Sequence, residues 1–355
     1  AAQLEDFFPE TNIVNQTEDL LKQIGSCGQS STHLRSLYRW AILKIWQGDC
    51  SQNTMDGLEK VATGESVKYL SSRAHFWLNR CRAKQPTRDI ASDYLKEFPL
   101  SFYSVQMAKD SDISMPEEIL VAEEPVVQRH GSTEMERQIL ILEYLIYSEN
   151  IGLAQTWANR LTTLLAKEDG GNAATSGGEA ILPSQRLYLG VLLHHLGRNV
   201  LNFRNISKAI AQDPKMRSKT VVKLFYPTAF VEEIEREAKR RELDQNLVLA
   251  IIRQESGFDP NARSAANAIG LMQLIPPTAK KLRPGTRARD LFEPEINVAL
   301  GTKYMAQLLR RFESKHHLAL ASYNAGVNKV EKWLKRYPTQ DELLFVELMP
   351  YQETK

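Results

Sequence analysis

Residues 139–164 read ILILEYLIYSENIGLAQTWANRLTTL, and this stretch decides the fold class. Ile139, Leu142, Leu145 and Ile146 recur at intervals of three and four, which puts their side chains on one face of an α-helix. After a short break at Asn150 and Gly152, Leu153, Trp157, Leu161 and Leu164 repeat the spacing. Two apolar stripes joined by a few polar residues bury both faces most simply by folding back on each other, so the stretch predicts an antiparallel helix pair. The same spacing extends outward in both directions. Leu34, Leu37, Tyr38, Ala41 and Ile45 form one stripe before Gly48, and Leu187, Val191 and Leu192 belong to another. Alternation with a period of two is almost absent. The chain therefore reads as all-α, and without a repeat of fixed period its N-terminal part reads as an irregular helical solenoid.

Composition narrows the function classes. The 355 residues carry 45 Lys plus Arg against 43 Asp plus Glu, so no strong field favours nucleic acid or an anionic membrane surface. No apolar run approaches the roughly 20 residues that span a bilayer. The longest candidate, Ile139 to Tyr147, is cut by Glu143 and suits a buried helix. The chain opens on Ala1-Ala2-Gln3 with no hydrophobic leader, as a mature exported protein would. Cys27, Cys50 and Cys81 have no metal-ligand spacing and read as core thiols, with one disulfide and a spare thiol as the alternative.

The stretch Glu168 to Glu179, rich in Gly and Ala, reads as a loop between helices. A domain boundary is expected near Tyr226-Pro227, giving a helical domain over 1–225 and a second domain over 226–355. Beyond it a helix with Phe230, Ile234 and Ala238 on one face precedes another that opens at Asp244.

That second helix carries the chemistry. Asp244 is a good N-cap, Leu247, Val248, Ile251 and Ile252 are apolar, and Gly257 offers a left-handed stop. Glu255 falls in the last turn, where orphan carbonyls and apolar neighbours both favour the protonated acid. A carboxylic acid kept protonated near neutral pH can donate a proton to a leaving oxygen. Downstream, Gly270-Leu271-Met272-Gln273-Leu274-Ile275-Pro276-Pro277 sets a Gln inside an apolar run, and its prolines stop one element and can start the next. Tyr323-Asn324-Ala325-Gly326 sets a polar pair at the end of an apolar stretch. Gln, Tyr and Asn can read sugar hydroxyls and acetamido groups without adding a charge beside the acid.

Taken in order, Glu255-Ser256-Gly257-Phe258, Gly270 to Ala279, Asn297 to Tyr304, Tyr323 to Gly326 and Glu347 to Thr354 resemble the soluble lytic transglycosylase family over roughly Tyr226 to Lys355. Phe98 to Tyr103 and Leu224 to Pro227 resemble, more weakly, the helical superhelix that precedes its catalytic domain. The resemblance implies a superhelical arc followed by a lysozyme-like α-domain with Glu255 in a cleft. By position Ser264, Met272 and Gln273 match residues lining the sugar sites, Tyr323 and Asn324 those that orient the bond being cut, and Glu347 an acid on the far wall. The family usually continues past the Glu-Thr pair at 353–354, whereas this sequence ends at Lys355.

Ordinary glycosidases use two carboxylates. Here Asp259 reads as a turn former beside Pro260, and Glu293 and Glu295 flank Pro294 as helix-entry residues. What the resemblance implies is therefore a one-carboxylate lyase without cofactor or metal, acting on peptidoglycan glycan strands in the periplasm. A goose-type lysozyme-like hydrolase is the runner-up, and a non-catalytic glycan-binding scaffold comes third. The expected protein is a monomer, with other cell-wall enzymes as further partners.

Overall fold

Short polar side chains start the helices of this protein. Ser30, Thr87, Ser101, Ser218 and Asp341 each accept a backbone N–H from the first turn that follows them, and Thr133 forms a reciprocal capping box with Glu136. The computed structural model describes residues 30–83, 86–99, 101–113, 133–169, 181–227 and 229–350. Seventeen α-helices lie among them, with no strand beyond isolated bridges, as the all-α reading expects. The chain divides into two compact units, residues 1–119 with 308–355, and residues 120–307. The boundary expected near Tyr226-Pro227 falls inside the second unit.

The first unit holds α1 (Ser31–Trp46), α2 (Gln52–Ala62), α3 (Lys68–Arg82), α4 (Arg88–Glu97) and α5 (Phe102–Asp110). Sequence neighbours pack as pairs, α1 on α2, α2 on α3 and α4 on α5. Their core centres on Leu34, Tyr38, Leu58, Phe76, Trp77 and Tyr103, and takes in Tyr337, Leu344 and Leu348 from the C-terminal end of the chain. Burying side chains such as Phe76 and Trp77 stabilises by about 1.5–3 kcal/mol each. The reading of three core thiols is corrected here. Cys50, just past α1, and Cys81, near the end of α3, form a disulfide. Cys27 lies outside the described residues.

The second unit opens with α6 (Glu134–Tyr147) and α7 (Ile151–Asp169), the predicted helix pair. Ile139, Leu142, Ala154, Ala158 and Leu161 are buried between them and α8 (Pro183–His195). Leu153 and Leu164, expected in the stripe, face outward instead. Small residues at 154 and 158 bring α7 close, so the seam runs one step round the helix from the leucines. Helix α7 also runs two residues into the expected loop at Glu168, and the rest of that loop lies outside the described residues. Helix α8 packs on α9 (Asn199–Gln212) at Gly190, where an added Cβ would stand 2.7 Å from Ile206 Cγ1. Then come α10 (Lys219–Phe225), α11 (Val231–Arg241), α12 (Gln245–Glu255), α13 (Pro276–Leu282) and α14 (Pro294–Arg311). Three further helices, α15 (His316–Ala325), α16 (Val327–Arg336) and α17 (Glu342–Leu348), lie in the part of the chain assigned to the first unit.

Candidate active site

Asp244 caps α12 as expected, its Oδ1 accepting the Asn246 N–H at 2.8 Å. Val248, Ile251 and Ile252 bury the apolar face, and the helix ends at Glu255. Gly257 takes φ +59° two residues on, the left-handed stop that the sequence predicts. Burial of the Glu255 carboxyl raises its pKa to about 7, far above the ordinary carboxylate range. Near neutral pH a large fraction of Glu255 therefore carries the proton that a general acid must give.

Beyond the helix end the chain forms a scaffold of hydrogen-bonded turns. Buried Ser256 donates through Oγ to the Leu271 carbonyl at 2.8 Å, tying the end of α12 to the segment that carries Met272 and Gln273. Ile269 and Leu274 exchange backbone bonds of 3.1 Å, and the Gly270 N–H donates to Ala262 O at 2.9 Å. Asn297, fully buried on α14, holds this loop with both ends of its amide. Its Oδ1 accepts from Met272 N at 2.7 Å, and its Nδ2 donates to Ile269 O and Leu291 O, each at 2.8 Å. Gly270 sits against it at φ +80°, where a Cβ would come within 2.2 Å of Asn297 Nδ2, so only glycine fits. Asn297 stands outside the set of site residues expected from sequence. The signal available was an Asn set among the apolar residues of an otherwise ordinary helix.

The predicted site residues divide between the two units. Glu255, Ser264, Met272 and Gln273 share the second. Ser264 is exposed and closes a small loop, its N–H bonding Ala268 O at 2.9 Å and its Oγ accepting from Ala268 N at 3.0 Å. Gln273, half-buried at φ +46°, spends its Nε2 on the carbonyls of Ala262 and Gly270, at 3.1 and 2.9 Å. It shapes the loop whatever else it touches. Met272 is fully buried, its sulfur packed on Gly301.

Tyr323, Asn324 and Glu347 belong to the first unit. Tyr323, half-buried, and Asn324, exposed, occupy the last turn of α15, and Gly326 at φ +88° turns the chain into α16. Glu347, expected on the wall of a sugar cleft, is enclosed instead. Only 1% of the residue is exposed, the Tyr103 hydroxyl donates to its Oε1, and the Arg73 guanidinium stands 3.9 Å from Oε2. Burial and the neighbouring carboxylate together push the Tyr38 and Tyr103 hydroxyls well above their ordinary range, which keeps both neutral.

The other acids near Glu255 in sequence have structural tasks. Asp259 accepts the Asn261 N–H at 2.8 Å as a turn former, Asp290 accepts the Arg287 N–H at 2.9 Å, and Glu295 pairs with Arg236 at 3.1 Å.

A half-buried carboxyl with its pKa raised to about 7 at a helix end, in an all-α frame, defines a helical domain equipped for general-acid chemistry. The family follows from comparison. Residues 232–346 match the family model of the transglycosylase SLT domain. A Haemophilus influenzae protein, named provisionally as a soluble lytic murein transglycosylase, is 39% identical over 137 residues, covering 36% of this chain and 23% of that protein. The soluble lytic murein transglycosylase of Salmonella typhimurium is 34% identical over 137 residues, covering 37% and 21%. The chain thus spans under a quarter of the length of these curated relatives. An inactive mutant of the lytic transglycosylase Slt from Pseudomonas aeruginosa shares the fold, with a TM-score of 0.68 at 21% identity over 95% of this chain and 51% of that one.

Proposed function

We propose that the protein is a peptidoglycan lytic transglycosylase that cleaves between N-acetylmuramic acid and N-acetylglucosamine, with Glu255 as acid and then base. The observation that carries this reading is the Glu255 carboxyl, raised by burial to about 7 within the region matched to the SLT domain. Glu255 protonates the glycosidic oxygen, and the sugar–oxygen bond breaks as positive charge develops on the muramyl ring. The substrate's own acetamido group steadies that charge. Glu255, now a carboxylate, takes the proton of the muramyl 6-hydroxyl, whose oxygen closes a 1,6-anhydro ring and leaves Glu255 protonated again. One titrating carboxyl serves both steps, which agrees with the turn and ion-pair tasks of Asp259 and Glu295.

In this reading Ser264 and Gln273, in the unit that holds Glu255, contact the glycan. Residues 226–355 supply the catalytic domain after an N-terminal helical domain. No helix among the described residues is long and apolar enough to cross a membrane. The Cys50–Cys81 disulfide suits an oxidising compartment, and the proposed place of action is the periplasm. Mass spectrometry of muropeptides released from purified sacculi tests the proposal. The expected products end in 1,6-anhydromuramic acid, lighter by one water than hydrolysis products. Reducing ends as the main product would assign the protein to the goose-type lysozyme-like hydrolases.

A further inference from the structure

The end of α12 is held from outside the SLT-matched region. Arg253, two residues before Glu255, turns toward α9 and α10. Its guanidinium carbon lies 4.5 Å from the ring centre of Phe203, 5.1 Å from that of Tyr226 and 5.9 Å from that of Phe225. Its Nε donates to the Phe225 carbonyl at 2.7 Å, which satisfies a C-terminal backbone group of α10. On the other side of Glu255, Gly257 lies flat against α9. A Cβ there would stand 2.6 Å from Val200 Cγ2 and 3.3 Å from the Val200 nitrogen. Helices α9 and α10 are themselves joined, the buried Asn202 donating to Leu224 O at 3.1 Å. Glu255 is thus bracketed at positions −2 and +2 by contacts to one joined pair of helices.

We propose that Arg253 and Gly257 are positioning residues that set the depth of Glu255 by docking the end of its helix on Val200, Phe203 and Phe225. This rests on Glu255 being the catalytic acid. All three docking residues precede residue 232, so the acid is positioned by a part of the chain that the family match does not cover. Cation–π contact and the bond to Phe225 O fix the direction of the helix end, and the Gly257 contact fixes its distance. Depth matters because burial is the sole cause of the raised Glu255 pKa, with no charged side chain among the described residues contributing. A helix end that lifts away from α9 lets water reach the carboxyl, and its pKa falls.

The test compares Arg253→Met, Arg253→Lys and Phe203→Leu with the wild type in sacculus digestion, across pH and with melting curves. Arg253→Met keeps the apolar stem and removes the guanidinium. It should lower kcat by about tenfold or more with KM within about twofold, because misplacing a reacting group costs rate before binding. Its pH–rate profile should lose activity at lower pH than the wild type, since a wetter Glu255 deprotonates sooner. Arg253→Lys restores a cation and a donor and should recover most of the rate. Phe203→Leu leaves Arg253 in place and should shift the same limb by a smaller amount. A loss of rate in folded Arg253→Met with an unmoved basic limb would make Arg253 merely structural and overturn the proposal. If Arg253→Met does not fold, an unmoved limb in Phe203→Leu overturns it equally. Glu255→Gln in the same assay separates the two readings. Full activity there removes the catalytic acid itself, whereas an inactive Glu255→Gln beside an unaffected Arg253→Met removes only the positioning device.

Discussion

Two glutamates from the same set of family motifs lie in opposite surroundings. Glu255 is half-buried at a helix end with no charged partner among the described residues shaping its titration, and desolvation alone raises its pKa to about 7. Glu347 is more deeply enclosed, yet the Tyr103 hydroxyl and the Arg73 guanidinium stand against its two oxygens. Arg39 adds a second hold on the same helix, donating to the carbonyls of Glu347 and Leu348, each at 2.8 Å. An acid without a charged partner holds a proton it can give away, and an acid with partners holds a fold together. The contrast teaches that a motif glutamate declares its role through what faces it.

Removing the titrating proton of Glu255 should have the largest effect. Glu255→Gln keeps the size of the side chain, and turnover in sacculus digestion should fall by 10⁴-fold or beyond, the upper end of about 10²–10⁴ for general-acid catalysis, because one group serves both steps. The folded-state pKa lies above the unfolded value, so the wild type favours folding fully below the unfolded pKa and loses that contribution as pH rises through about 7. The Gln variant has no such loss. Above that pH it should melt higher than the wild type, the wild type having lost roughly 1.4 kcal/mol for each pH unit that separates its unfolded and folded pKa values. An equal pH dependence of melting in both proteins would mean that Glu255 is not held in its protonated form.

The same substitution at position 347 should have the opposite signature. Glu347→Gln leaves the part-exposed Arg73 guanidinium facing an uncharged amide, so the loss should lie at the lower end of the about 3–5 kcal/mol that breaking a buried pair costs. Denaturant unfolding measures it. Unchanged stability with lost cleavage would restore Glu347 to the sugar-contacting role that its motif implies, and the contrast would collapse.

These two outcomes also mark how far the sequence could be read. Helix content, the Asp244 cap, the Gly257 stop and the protonated Glu255 were legible because each follows from residues within a few turns of one another. The partners of Glu347 were not, since Tyr103 stands 244 positions away and no local pattern joins them. Gln273 was read as a polar side chain for a ligand, but the φ +46° turn that lets its amide hold Ala262 and Gly270 depends on Asn297, on another helix. Leu153 and Leu164 fit a helical stripe and still face outward, because periodicity fixes a face only to within one step of the helix. Cys50 and Cys81 pair only because α2 and α3 fold back on each other, which spacing alone leaves open.

That disulfide belongs to the same unit as Glu347 and gives a third effect. Its two cysteines are 31 residues apart. Releasing a loop of that length costs about 3–4 kcal/mol through the greater freedom of the unfolded chain. Cys50→Ala with Cys81→Ala should lower the thermal midpoint, and reductant should lower that of the wild type equally while leaving the variant unmoved. A variant as stable as the oxidised wild type would show that the helix pairing alone holds this unit.

The smallest effect is expected four residues past the acid, at Asp259, and it bears directly on the mechanism. A two-carboxylate glycosidase would place its second acid within several ångströms of the first, and Asp259 is the carboxylate nearest to Glu255 along the following loop. Its Oδ1 accepts the Asn261 N–H at 2.8 Å, while its own N–H donates to Ser256 O and its carbonyl accepts from Ala262 N, both at 3.2 Å. Those three bonds make a turn, and asparagine makes the same turn with its own side-chain oxygen. Asp259→Asn removes the charge and keeps the geometry, so stability should change by no more than about 0.5 kcal/mol. Cleavage should stay within about twofold of the wild type, because a single protonated acid does the proton transfers. Rates on sacculi and the ratio of anhydro to reducing ends, measured together, separate the possibilities. A fall as deep as that of Glu255→Gln, in a protein that melts normally, would make Asp259 the missing base or nucleophile. The reaction would then be hydrolysis by a carboxylate pair, and a lone proton on Glu255 would no longer account for it.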